Sequence, residues 1–323
     1  MWKTTLRRFV ILIPQLFALS ILIFVLASFM PGDALTGLWE DPTLDFDTIH
    51  QMRLDAGIYD PWYVQYTRWI GNMFRGDFGS SLAHRRPVTE MIGDRLGNTM
   101  LLSFMSVLIT YLFAIPLGII AGRYNGRLAE RMISFYNFVQ MAFPTVVFAI
   151  VLQWVLAISL GILPLRGSVD VTVLATGTDF QIFLSRIQHA LLPALSMSLL
   201  SGVGIIQFLR NEINDERNKD YALLAISKGV PTSKVYTSHI FRNSLLPIAA
   251  SSGGVVVGLF SGAVIIESIF TFHGMGGLFV GSVGQRDWPV VNFLVIFYAV
   301  LGALGFLISD IVLTIFDPRI RIK

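Results

Sequence analysis

The sequence predicts an all-α integral membrane protein with six transmembrane helices and both termini on the cytoplasmic side (N-in/C-in). Three observations lead there. Of the 323 residues, 54% are hydrophobic and only 14% charged, against about 25% charged in soluble domains. The apolar residues gather in six blocks, roughly Phe9–Met30, Asn98–Gly122, Met132–Leu160, Ile187–Leu209, Ile248–Phe270 and Pro289–Phe316. Each meets the about 20 residues a helix needs to cross the hydrocarbon core. With the N-terminus inside, residues 1–8, 123–131, 210–247 and 317–323 hold 15 of the 24 Lys and Arg, although the outer segments are longer in total. That bias follows the positive-inside rule. Lipid offers no partner to backbone N–H and C=O groups, so helix is the default for each block. The period-two alternation of a barrel strand over about 10 residues is missing.

The first block follows Lys3, Arg7 and Arg8. It exceeds the about 7–15 residues of a signal-peptide core and lacks a small-residue cleavage site after it, so it reads as a retained helix. A long outer loop, 31–97, comes next, and residues 1–97 form the first division of the chain. In that loop Trp62, Tyr66 and Trp69 fall at i, i+4 and i+7 on one helix face. Such a face suits either an interfacial helix, where Trp and Tyr are enriched, or a docking surface. The second division, 98–316, holds five spans, and 317–323 is a cytoplasmic tail. Pro116 and Pro144 sit inside spans, where proline kinks a helix. Gly118 and Gly122, and Gly254, Gly258 and Gly262 in the fifth block, have the spacing that lets helices approach closely. They serve either packing within the chain or contact with another subunit. Glu267 and Asp310 lie inside span limits, where ionisable groups are costly and mark function. With Phe270, Glu267 is a candidate for the translocation route or an outer gate.

The segment 210–247 is polar and amphipathic between two apolar blocks. Asp220 is placed to cap a helix over Tyr221–Ser227, with Lys228 in its last turn. Gly229 supplies the C′ residue and Pro231 the stop. A second helix, about Thr232–Leu245, then leads to Leu246 and Pro247. The result is a compact helix-turn-helix knob presented to the cytoplasm. Span connection alone does not require such a knob, so a cytoplasmic partner is expected.

This knob resembles the cytoplasmic loop of ABC-importer permeases of the oligopeptide/dipeptide/nickel branch. The pattern is Tyr-x-x-x-Ala-x-x-Lys-Gly followed by Arg-Asn-x-Leu-Leu-Pro, here Tyr221, Ala225, Lys228, Gly229, Arg242, Asn243, Leu245, Leu246 and Pro247, with the proline 18 residues after the glycine. Leu223 and Leu224 stand where many members carry Arg-Thr, which makes the face more apolar. Pro31-Gly-Asp33, Gly76-Asp-Phe-Gly79, Leu192-Pro-Ala194, Glu267-Ser-Ile-Phe270 and Gly274-Met-Gly276 extend the likeness over most of the chain. The resemblance implies a type I importer-like permease fold in a bacterial or archaeal inner membrane. It implies one of two homologous permeases in a heterodimer, with two ABC ATPase subunits and an extracytoplasmic substrate-binding protein. The coupling residues it implies are Asp220, Tyr221, Ala222, Leu224, Ala225, Lys228, Gly229, Val230 and Pro231, supported by Arg242, Asn243, Leu246 and Pro247. Peptides are the expected cargo, with nickel, glutathione or another small solute as alternatives.

Other classes fare less well. The chain has no Gly-x-x-x-x-Gly-Lys-[Ser/Thr] phosphate loop, so ATP and Mg would be used by the partners and this chain is expected to be non-catalytic. It has no cysteine, and its five histidines are scattered, so neither a metal site nor a resident cofactor is expected. No nucleic-acid partner is expected. An ion-coupled secondary transporter would show mid-span polar groups and inverted repeats. Neither is evident, and that reading would leave the knob unexplained. A membrane scaffold or sensor would be favoured by a missing ATPase neighbour, and an intramembrane enzyme would need a nucleophile–base pair or metal triad, which the sequence does not show.

Overall fold

A computed structural model describes residues 2–29, 45–55, 57–81, 83–244 and 263–316, with residues 248, 254, 255 and 258 in addition. Among these, the regular structure is helical. They contain only an isolated antiparallel bridge, Ser80 with Pro87, and no strand. The helices are α1 (Trp2–Phe29), α2 (Phe46–Asp55), α3 (Trp62–Phe74), α4 (Val88–Arg123), α5 (Leu128–Ala142), α6 (Thr145–Leu152), α7 (Val171–Thr176), α8 (Asp179–Ser201), α9 (Val203–Glu216), α10 (Asp220–Ser227), α11 (Thr232–Lys234), α12 (Phe241–Ser244), α13 (Val264–Ile269), α14 (Met275–Gly284) and α15 (Trp288–Phe316). A π-helical stretch, Gln153–Ser159, continues α6, and another, Val235–Ile240, joins α11 to α12.

The chain divides into two compact units, Met1–Gly97 with Gly274–Leu304, and Asn98–His273 with Gly305–Lys323. In the first unit, α3 turns its aromatic face onto α1. Tyr66 is buried, its ring 5.5 Å from Phe24, and its hydroxyl lies 2.8 Å from Ser20 Oγ. Trp69 packs 5.6 Å from Phe24. The stripe read as an interfacial or docking face is thus mainly a packing face, and Trp62 and Tyr63 remain exposed. The same unit buries Val88, Met91 and Ile92 of α4 with Met275, Leu278, Val290 and Leu294. Ser81 donates a buried hydrogen bond to Asp287, joining the 79–88 turn to the entry of α15.

The second unit holds the bent helices. Two described helices are long and apolar enough to cross a membrane, Val88–Arg123 and the stretch Trp288–Gly305 of α15. Two bent pairs add candidates: α5 with the α6 stretch, at 101°, and α8 with α9, at 47°. The apolar stretch of α1, Ile13–Leu26, is shorter, and the expected fifth span falls largely outside the described residues. Span limits shift as well. Helix α4 begins ten residues before the expected Asn98, because the N-terminal turns of α4 have their own apolar partners. Helix α8 begins at Asp179 rather than Ile187, because Thr178 and Gln181 form a capping box that satisfies the first N–H groups.

The two prolines part ways. Helix α4 runs through Pro116 unbroken. Pro144 ends a helix instead of kinking one: Phe143 is extended at φ −91°, ψ 123°, as a residue before proline prefers. Gly202, between α8 and α9, leaves a slot in which an added Cβ would sit 3.3 Å from Ala114 Cβ.

Helix α4 meets α9 through Gly118 and Gly122. A Cβ on Gly118 would lie 2.7 Å from Leu209 Cβ, and one on Gly122 would lie 2.7 Å from Ile213 Cβ. This is close packing within the chain. On α5, Glu130 is buried and pairs with Arg210 of α9 at 2.7 Å. Tyr136 donates to the Leu199 carbonyl at 3.0 Å, and so does Gln140.

Filling the α4–α9 contact should destabilise the fold. Gly122→Val is expected to cost about 1–3 kcal/mol, the usual penalty of overpacking, and to lower the melting temperature of the detergent-solubilised chain. Gly93→Ala, where an added Cβ meets nothing within 4 Å, should melt no lower than wild type. Equal melting of the two variants would refute the close contact.

Candidate functional site

The knob begins where α9 ends. Glu216 closes α9 although an acid is unfavourable at the negative end of a helix dipole. Burial there requires partners, and two reach it: Lys219 Nζ and the Tyr221 hydroxyl both donate to its carboxylate. The turn between the helices is fixed by Arg217 N donating to Ile213 O at 3.1 Å and Lys219 N donating to Glu216 O at 3.2 Å. The helix start differs from expectation. Lys219, extended at φ −77°, ψ 150°, holds the N-cap position and no side chain caps the helix. Asp220 is therefore the first helical residue, and it suits the dipole from there. The expected cap fails because Lys219 is held by Glu216, which starts the helix one residue earlier.

Ala222 is fully buried, and its small side chain sits where α10 packs on the 235–240 stretch. It shares a core with Ile213, Val235 and Ile240, flanked by Ile119, Tyr221, Ala225, Val230 and Tyr236. Gly229 adopts φ +78°, the left-handed region that costs an L side chain about 1–2 kcal/mol. Its N–H donates to Ile226 O at 2.9 Å, and Val230 N donates to Ala225 O at 3.2 Å. These are the two bonds of a Schellman ending, with Val230 supplying its hydrophobic contact. Pro231 is the N-cap of α11. Arg123, at the end of α4, sits over the Tyr236 ring, 5.8 Å from its centroid. Arg242 and Asn243 lie on α12, and Leu245, Leu246 and Pro247 lie outside the described residues.

What remains outward is apolar. Leu223, Leu224 and Ile226 are each about half exposed, next to Lys228. The knob thus has one side locked to the helices above and one side carrying exposed aliphatic groups. Lys219 has its pKa raised, chiefly by the hydrogen bond to Glu216, with the charges of Glu216, Glu212 and Asp215 adding to it. The sequence pattern did not single out Glu216. An acid in the last turn of a helix, five residues before a tyrosine, was the available signal.

The outer candidates lie apart from the knob. Glu267 is buried, with Oε1 3.4 Å from Thr99 Oγ1 and 3.3 Å from Ala263 N. Phe270 is buried with Leu102, Ala190 and Leu192, and its carbonyl accepts from Gly167 N at 2.9 Å. Both belong to the second unit's core. At Gly254 and Gly258 an added Cβ would meet no described residue within 4 Å, and Gly262 lies outside the described residues.

A helical chain with apolar helices of spanning length and a helix-turn-helix between them defines a multi-pass membrane protein. The chain belongs to the family described as "Binding-protein-dependent transport system inner membrane component", whose model matches residues 114–322. It is an inner-membrane permease of the ABC-importer type. It is 37% identical over 316 residues to the oligopeptide transport system permease protein AppB of Bacillus subtilis (strain 168), covering 98% of both chains. It is 29% identical over 323 residues, the whole of both chains, to the glutathione transport system permease proteins GsiC of Salmonella typhimurium and of Escherichia coli K12.

The Glu216–Lys219 bond has a pH signature. A raised folded-state pKa means its contribution is complete below the ordinary lysine range and is lost as pH rises through the elevated value. Cleavage at Arg217 by an arginine-specific protease reads the turn. Glu216→Gln is expected to be cut faster than wild type at neutral pH, and the gap should close at strongly alkaline pH. Equal cutting at neutral pH would show that the bond does not hold the turn.

Proposed function

We propose that this chain forms half of the translocation pathway of an ATP-driven importer that takes up peptides delivered by a substrate-binding protein. The observation that carries the reading is the locked knob with its exposed Leu223, Leu224 and Ile226. An apolar patch on a rigid, short helix suits a groove on an ATPase subunit. The Leu-Leu pair, in place of the Arg-Thr of many relatives, gives that contact a more hydrophobic character.

In this reading the chain has six spans, N-in/C-in, in a type I importer-like arrangement. Residues 1–97 form the first helix and an extracytoplasmic loop. Residues 98–316 form the five-helix core with the 210–247 coupling loop, and 317–323 a cytoplasmic tail. The partners are a second homologous permease, two ABC ATPase subunits that use ATP and Mg, and the binding protein. ATP-driven closure of the ATPase pair moves α10. The motion passes through Ala222 and Ile213 into α9, and through Arg123 and Tyr236 into α4. The bends at Pro144 and Gly202 supply hinges for a rigid-body rocking between inward- and outward-open states. Glu267 and Phe270, packed in the second unit's core, are assigned in this reading to the translocation route or an outer gate. Peptide cargo is supported by the names of two groups of relatives, one oligopeptide and one glutathione, itself a short peptide.

Detergent-solubilised wild type is expected to copurify with an ATPase and a second permease. Gly229→Asp, which strains the left-handed turn and adds charge beside the patch, should lose the ATPase and keep the permease. Copurification of the ATPase with both would refute the knob as the docking element. Vesicles with the complete importer and its binding protein should take up peptide on ATP addition, and vesicles with this chain alone should take up none. Uptake by the chain alone would overturn the reading.

A further inference from the structure

A cleft of about 890 Å³ opens in the second unit among the 161–170 segment, α7 and the first half of α8. Small-ligand sites span about 300–1,000 Å³. It is separate from the knob and uses neither Glu267 nor Phe270. Its wall is apolar at Ile162, Leu163 and Val173 and polar at Asp170, Gln188 and His189.

The polar groups are preset. Asp170 Oδ1 caps α7, accepting from Thr172 N at 2.8 Å and Val173 N at 3.3 Å, and from Thr172 Oγ1. Its backbone N–H donates to Ser185 Oγ at 3.0 Å. These bonds use one carboxylate oxygen, and Oδ2 has no partner among the described residues. The donors, Thr172 first, hold the Asp170 carboxyl below the usual carboxylate range, so it is ionised at neutral pH. His189 Nδ1 lies 2.8 Å from the Ser185 carbonyl. That nitrogen therefore donates, and Nε2 has no hydrogen-bond partner among the described residues. The Gln188 amide also has none there. Among the described residues, no Lys or Arg lines the cleft.

The geometry points to a subsite for the amino-terminal end of a short peptide, with the ammonium on Asp170 Oδ2, the first peptide groups on Gln188 and His189, and side chains against Ile162, Leu163 and Val173. A wall that carries the Asp170 carboxylate and, among the described residues, no Lys or Arg favours the amino end over the carboxylate end. A carboxylate–ammonium bond is of the strong, charge-assisted kind. The subsite rests on the peptide reading above, and the test separates the two.

The chain has no cysteine, so Thr176→Cys places a single thiol on the cleft wall. The experiment follows maleimide labelling of this chain in the full reconstituted importer, with trialanine or N-acetyl-trialanine, beside ATP-driven trialanine uptake by wild type. Trialanine is expected to slow labelling roughly tenfold, a change worth about 1.4 kcal/mol. N-acetyl-trialanine should protect weakly. Asp170→Asn, added to the cysteine variant, should remove the protection, because Asn caps a helix as well as Asp but carries no charge. Uptake without protection, or equal protection by the acetylated peptide, would overturn the subsite and leave the peptide reading standing. Protection by the binding protein without peptide would make the cleft a docking site and overturn the subsite too. Absence of uptake would overturn both.

Discussion

Ile213 is the residue on which the packing of the knob depends. On one side it meets Gly122 so closely that an added Cβ would approach to 2.7 Å. On the other it shares a core with Ala222, Val235 and Ile240. Two small residues, Gly122 and Ala222, thus flank one branched side chain. Burial in this small cluster makes the knob continuous with the membrane helices instead of a flap on a linker. Close-packed interiors transmit displacement because they have little free volume to absorb it. α10, α9 and α4 are thereby tied into one packed cluster.

Backbone punctuation does the remaining shaping. Proline before a helix removes a donor and drives the preceding residue extended, and Pro144 sets a 101° bend this way. Gly229 reverses the chain by occupying a region other residues avoid. Buried polar groups then need partners, since an orphan in such an environment is costly. Glu130 finds Arg210, Glu216 finds Lys219 and Tyr221, and Asp287 finds Ser81. Each pair joins elements that apolar contact alone would leave free to slide.

Several of these features were legible in the residues. The glycine turn was readable because Gly229 is followed by Pro231, and the ending it forms has few alternatives. The Gly118/Gly122 spacing pointed to a close helix contact, though not to its partner. The start of α10 was misread by one residue. A cap is a local competition, and here a side chain three residues upstream, Glu216, won Lys219. The aromatic stripe of α3 showed which face was apolar and left open what covered it. Periodicity identifies a face but carries no distance information, so α1 as its cover came only from the fold.

By itself the sequence determined the class of protein: an all-helical chain with apolar blocks of membrane length and a polar helix-turn-helix between two of them. Those properties follow from local composition, since apolar length sets membrane solubility and turn residues set chain reversal. Tertiary structure decided the rest. It chose which helix Gly122 touches and which carboxylate holds Tyr221. It broke one expected span at Pro144 while α4 ran straight through Pro116. It also shaped a cleft from Asp170 and His189, nineteen residues apart. All of these depend on groups distant in the chain meeting in space, and long-range contact is what a linear pattern does not encode.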